Sequence, residues 1–298
     1  MRAAPDPRDV LSALARSAFS STAGGARDLD DDDRRIRQSV STSRRIGLAG
    51  VEGGSGTSAT TAAVAALLAH RRPGRVLAVD GAAGLRGTVW HLGLPDTARS
   101  TAPSAVRRTA RTSWQATTDL PVAPSGALVM GLGDPDDPSR VPAPSRWSDE
   151  VEPIARFNEV VVSDWGVRSP HVDLGDAARD SHVLGLVTRS ERAALEEAVA
   201  VAETVARVPS PPRVVLVVVD VGGVGHAAAR LLRQRGDAGL PLVTVPWDAA
   251  KTADAPPTSR ALRPVSRRAH IALAAALVQA SAATVDTVRA DARQEAAS

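Results

Sequence analysis

Residues 50–59 read Gly-Val-Glu-Gly-Gly-Ser-Gly-Thr-Ser-Ala and lie between an apolar run (46–50) and a helical stretch (58–70). Gly53, Gly54 and Gly56 let backbone N–H groups converge on an anion, and the amino end of the following helix adds partial positive charge there. Ser58 stands where a hydroxyl would ligate magnesium beside a bound phosphate. Two later strands end in carboxylates, VLAVD at Asp80 and EVVVSD at Asp164, as the acidic metal-site residues of such folds do. The chemistry these residues specify is phosphate and divalent-metal binding. A cation is missing from the turn itself, where Glu52 and Thr57 flank the glycines.

The elements that would position this turn are strands alternating with helices. IGLAG (46–50), VLAVD (76–80), ALVMGL (127–132), EVVVSD (159–164), HVLGLVT (182–188), VVLVVVD (214–220) and LVTVP (242–246) are compact strand candidates. Several are apolar on both faces, as in a parallel sheet covered by helices. Helical stretches at 58–70, 190–208, 224–235 and 265–283 separate or follow them. This alternation predicts an α/β fold, a doubly wound and mostly parallel sheet with helices on both faces. Residues 1–43 read as a flexible N-terminal arm. Its short amphipathic helix carries Val10, Leu11, Leu14 and Ala18, and an acidic run (Asp28, Asp30 to Asp33) abuts Arg34, Arg35 and Arg37. That arm reads as a solvated segment, with a docking helix for a partner as the alternative. The domain proper is expected over 44–283, followed by a charged tail at 284–298.

The motifs resemble those of the MinD/ParA family of deviant P-loop ATPases (the SIMIBI class). That family reads G-K-G-G-x-G-K-[ST]-T where this chain reads Val51-Glu52-Gly53-Gly54-Ser55-Gly56-Thr57-Ser58-Ala59. VLAVDGAAGLRGTVWHLG (76–93) is similar to the family's second-strand motif, EVVVSDWG (159–166) to its Walker B strand, and LVTVPWD (242–248) to its Pro-x-Asp segment. Arg267–Ala283 resembles the closing helix, so the likeness covers residues 36–283. SDWG, VPWDAA and SRRAHIALAAAL look most like the MinD-like proteins of actinobacterial type VII (ESX) secretion. The resemblance implies ATP with magnesium as cofactor, a nucleotide site at residues 52–59 and magnesium ligands at Ser58, Asp80 and Asp164. It also implies a base-side wall at Asp220, Pro246, Trp247 and Asp248, and a nucleotide-sandwich homodimer.

The departures bear on function. The family's two lysines fall at Glu52 and Thr57, and Ala82 stands where the family keeps a water-orienting aspartate. Thr57 offers a neutral hydrogen bond in place of a charge-assisted one worth roughly 1.5–3 kcal/mol. At about 5 Å and an effective dielectric of about 20, Glu52 opposes each phosphate charge by about 3 kcal/mol. Both changes weaken triphosphate binding. The expectation is a degenerate ATPase, with ATP and magnesium bound weakly or not at all. It would act as a regulator or scaffold through protein partners, with secretion machinery the candidate, or through a second copy. An active positioning or partitioning ATPase that uses an arginine is the alternative, and a nonspecific DNA-tethering module is a third reading.

Composition excludes several other classes. With no cysteine, the 298-residue chain has no disulfide, thiol nucleophile or cysteine-metal site. Lys251 is the single lysine among 36 basic residues, so the rest are arginine, and against 33 acidic residues the net charge is only +3. DNA binding is therefore not expected, despite arginine clusters such as Arg107, Arg108 and Arg111. No apolar run reaches the ~18 residues of a membrane span, and the opening MRAAPDPRDV lacks a signal-peptide core. A soluble, cytoplasmic protein is expected. His70, His91, His171, His182, His226 and His270 have no metal-ligand spacing, and Gly222, Gly223 and Gly225 do not complete a dinucleotide fingerprint.

Overall fold

The computed structural model describes residues 26–40, 42–235, 239–252, 256 and 260–295. Its first described element is a helix over residues 26–37 (α1). The chain then runs through β1 (Arg44–Gly50), α2 (Thr57–Arg71), β2 (Val76–Asp80), α3 (Thr88–His91), a 3-10 turn (Asp96–Arg99), α4 (Ala105–Arg108), α5 (Ser113–Ala116) and β3 (Leu128–Gly131). It continues as α6 (Pro144–Glu150), α7 (Glu152–Ala155), β4 (Val160–Val167), α8 (Leu174–Arg179), β5 (Val183–Arg189), α9 (Arg192–Val205) and β6 (Arg213–Val219). The last elements are α10 (Ala227–Arg235), β7 (Leu242–Val245), a 3-10 turn (Ala249–Thr252) and α11 (Pro264–Glu295).

The seven strands form one sheet in the order β3-β2-β4-β1-β5-β6-β7, and every pairing is parallel. The continuous apolar runs have this cause: inner strands bury both faces, so each successive side chain enters a core. Ile46 and Leu48 of β1 and Val160 and Val162 of β4 pack on Val64 and Leu68 of α2 and on Leu273 and Leu277 of α11. Ala49 and Val161 belong to the opposite face, with Trp147 of α6, Ile154 of α7, Trp165 and Ala198 of α9. From β1 the chain crosses to β2 on one side, while β5, β6 and β7 build outward on the other. The first glycine-rich turn therefore lies at the carboxyl ends of the strands, where the winding reverses and ligand crevices form in such sheets.

Two boundaries differ from the sequence expectation. The acidic stretch of the supposed arm forms α1 and docks: Ile36 is fully buried in the core beneath α2 and α11. Asp33 pairs with Arg71, while the buried Arg72 guanidinium donates to the Ile36 and Gln38 carbonyls and pairs with Glu159. One isoleucine among charges carries no periodic signal, so this helix was illegible by pattern. Residues 1–25, with Val10, Leu11, Leu14 and Ala18, lie outside the described residues. At the other end, α11 keeps its helical backbone to Glu295, so most of the expected tail continues the last helix. Replacing Ile36 by Ala is expected to cost about 2–5 kcal/mol of stability, read from the denaturant midpoint at unchanged m; a solvated arm would show no shift.

Candidate phosphate-loop site

β1 ends at Gly50, where a Cβ would stand 2.6 Å from Thr57 Oγ1, so only glycine lets the loop fold back against the helix. Gly54 (φ +75°) and Gly56 (φ +82°) both take the left-handed conformation, and Gly56 caps α2. The backbone at Gly53 and Gly54 is open: a Cβ there would meet nothing within 4 Å. The shape of an anion-binding turn is thus present. Its side chains are directed elsewhere. Thr57 is buried with its hydroxyl 3.0 Å from that of buried Ser55. Thr61 Oγ1 donates to the Thr57 carbonyl (2.9 Å).

Glu52 turns sideways onto the end of β5. Arg189 Nη2 donates to Oε2 (2.7 Å), and the Arg189 backbone N–H donates to Oε1 (3.2 Å). The Arg189 guanidinium, through its hydrogen bond and despite partial burial, holds the Glu52 carboxyl below its ordinary range. Glu52 is therefore charged at neutral pH, and the arginine next to the loop is already engaged by it.

The β2–β4 register sets Asp80 opposite Asp164. Both are buried, and Ser58 and Thr88 join them. The Val89 and Ala82 N–H groups donate to Asp80 Oδ2 (2.8 Å) and Oδ1 (3.2 Å). Gly166 N–H donates to Asp164 Oδ1 (2.9 Å), Thr88 Oγ1 donates to Oδ2 (2.9 Å), and the Ser58 hydroxyl bonds the same carboxylate. A Cβ at Gly87 would collide with the Asp80 carboxylate, so glycine is required there. Burial first, and the neighbouring Asp164 charge second, push Asp80 up to about 7. Burial raises Asp164 as well. The structure brings the three expected magnesium ligands together, but every carboxylate oxygen already has a donor from the chain. An oxygen that accepts one hydrogen bond from the chain keeps a lone pair, so Ser58, Asp80 and Asp164 are placed as residues that would hold a magnesium ion, while Glu52 is the charged side chain at the loop.

The base-side residues also close on their own backbone. Asp220 accepts from the N–H groups of Gly222, Gly223, Val224 and Gly225 at 3.3, 2.6, 3.0 and 2.8 Å and so shapes the turn after β6. Asp248 accepts from Ala250 N–H (3.1 Å) and Arg263 N–H (2.8 Å), and against its burial the Ser266 hydrogen bond and Arg263 keep it ionised below its ordinary range. Pro246 and Trp247 are half-buried, with the Arg263 guanidinium 5.7 Å from the Trp247 ring centroid. Sequence reasoning missed two participants, Thr88 and Arg189. Thr88 sits in the quoted second-strand motif; Arg189 had no motif to mark it. Lys251 is not at the loop but 3.1 Å from His270 Nε2. Among the described residues no group of three His, Cys, Asp or Glu is placed to hold a metal ion.

A parallel seven-stranded sheet covered on both faces, with a glycine-rich turn from its first strand into a helix, defines a P-loop NTPase-like α/β fold. Among solved structures, the fold is that of the MinD and ParA ATPases. A ParA family ATPase from Chlorobium tepidum superposes with a TM-score of 0.57 at 17% identity, over 78% of this chain and 98% of that one. MinD from Pyrococcus horikoshii, complexed with Mg-ADP, gives 0.59 at 16% identity over 78% and 94%. MinD in the MinC:MinD complex of Aquifex aeolicus gives 0.51 at 16% identity over 82% and 96%. No family model matches the chain, and no curated protein matches it. At these identities the likeness carries the fold and not the activity.

The carboxylate pair makes stability pH-dependent. Folded Asp80 keeps its proton to about 7, against 3.8 as its ordinary value, so the folded state binds more protons between those limits. The contribution is complete below the ordinary value and is lost as pH rises through about 7. Melting temperature is expected to fall between pH 5 and pH 8, and to fall less in Asp80→Asn; equal slopes in thermal melts would refute this.

Proposed function

We propose that this chain is a MinD/ParA-like protein that has lost nucleotide hydrolysis and acts as a regulator or scaffold through protein contacts on its loop face. The observation that carries this reading is the Glu52–Arg189 pair, which places a carboxylate at the loop and neutralises the arginine beside it. The outer rim of the same edge supports it: Leu85, Val141, Val172, Val221 and Val224 on loops, and Val167 at the end of β4, are 38–80% exposed around the carboxyl ends of the strands. Apolar side chains gathered on one face suit protein docking. The docking partner in this reading is a protein, with type VII secretion machinery as its setting on the strength of the SDWG, VPWDAA and SRRAHIALAAAL segments. A second copy of the chain would use the same face. The cytoplasm is the compartment this reading assumes, and no described helix is long and apolar enough to cross a membrane.

The position of Arg189 favours a second reading, an active ATPase in which that arginine serves the phosphates once Glu52 is displaced. Nonspecific DNA tethering is a third reading, which DNA retention at low salt would support. Calorimetry with Mg-ATP and a phosphate-release assay separate the first two. The expected result is no binding in the micromolar range and no steady release; micromolar affinity with turnover would sink the scaffold reading. The double change Glu52→Lys, Thr57→Lys is expected to raise ATP affinity about tenfold or more, since each lysine restores a charge-assisted contact.

A further inference from the structure

The chain's single lysine lies apart from the loop, among imidazoles. Lys251 is half-buried on the 3-10 turn Ala249–Thr252, between β7 and α11. Its Nζ is 3.1 Å from Nε2 of His270, a buried residue in the first turns of α11. The titratable groups that face it are His270, His91 at the end of α3, and Asp248 at the start of the turn. Arg86 adds positive charge beyond His91. Burial and the nearby cations hold His270 at about 3 and His91 at about 4, so both rings are neutral near pH 7. A protonated amine has no lone pair to accept with, so in this contact Lys251 donates and the His270 Nε2 accepts, which fixes the direction of the amine. Burial outweighs the Asp248 charge and draws Lys251 down to about 8. The other basic side chains of positive charge are arginines, which do not release a proton in proteins. Lys251 is thus the one side-chain amine here that becomes a neutral nucleophile under ordinary conditions.

We propose that Lys251 is a modification site whose Nζ, oriented by His270 Nε2, accepts an activated acyl group from an acyl phosphate or an acyl thioester. The neutral amine attacks the acyl carbonyl carbon and a C–N bond forms. The bond from that carbon to the phosphate oxygen or thioester sulfur breaks, and the leaving group departs with the electron pair as phosphate or thiolate. The surplus proton on nitrogen passes to water. The product is a neutral amide, so the cation between Asp248 and the two imidazoles is removed at the junction of β7 and α11. This site lies apart from the phosphate loop and shares Asp248 with the expected base-side wall.

The test treats the full chain with acetyl phosphate in one arm and acetyl coenzyme A in the other. Acetylation is located by cleavage at arginine and mass spectrometry, with the chain's α-amine as internal competitor. Folded protein is expected to label Lys251 on the order of tenfold faster at pH 7.5 than the same chain in urea, because an ordinary lysine titrates near about 10.4. The labelling rate should have its midpoint near pH 8. Labelling from one donor or both supports the proposal and identifies the source. In His270→Gln, with circular dichroism unchanged, the folded-state advantage should shrink several-fold. Equal rates in folded and unfolded chain, labelling confined to the α-amine, or an undiminished advantage in folded His270→Gln would overturn the proposal.

Discussion

Two carboxylates buried side by side organise the working edge of this protein. Asp80 and Asp164 are register partners on β2 and β4, and between them they bind the start of α2 through Ser58 and the start of α3 through Thr88 and Val89. They also hold the backbone at Ala82 and Gly166. Burying a carboxylate is costly unless hydrogen bonds answer it, and here the chain supplies a donor for each oxygen. The result is a closed polar cluster that positions two helices and two loops together. Part of the cost is relieved by protonation: burial first and the Asp164 charge second push Asp80 up to about 7.

The phosphate loop is closed by related means. A Gly-rich turn at a helix amino end attracts negative charge, and Glu52 supplies one from within the chain, clamped by Arg189. Thr57 turns its hydroxyl to Ser55 and so presents no charge to the loop. The architecture of an anion site is therefore kept while its side chains are satisfied internally.

Much of this was legible beforehand. All seven strands were readable: the inner ones bury both faces and leave an unbroken apolar run, and the half-buried edge strand β7 is still mostly apolar. The position of Gly53, Gly54, Gly56, Ser58, Asp80 and Asp164 at one edge followed from strand–helix alternation. The helix over residues 26–37 was not readable: its burial depends on Ile36 alone, and its charges find partners such as Arg71 that lie distant in sequence. The short helices α3 to α8 also left no periodic trace, since four to seven residues make too few turns to show a 3.6-residue repeat.

Residue types and local spacing were enough for the fold class, the location of the loop and the absence of lysine from it. These depend on side-chain burial and backbone freedom, which act over a few neighbouring residues. The pairing of charges was settled by folding in three dimensions. Arg189 meets Glu52 because β5 lies beside β1, and Lys251 meets His270 because the turn after β7 folds back onto α11. Asp220 and Asp248 are turned inward for the same kind of reason, with backbone N–H groups within reach only once their loops close. Electrostatic and hydrogen-bond partners are chosen by distance in space, and distance in sequence does not encode it.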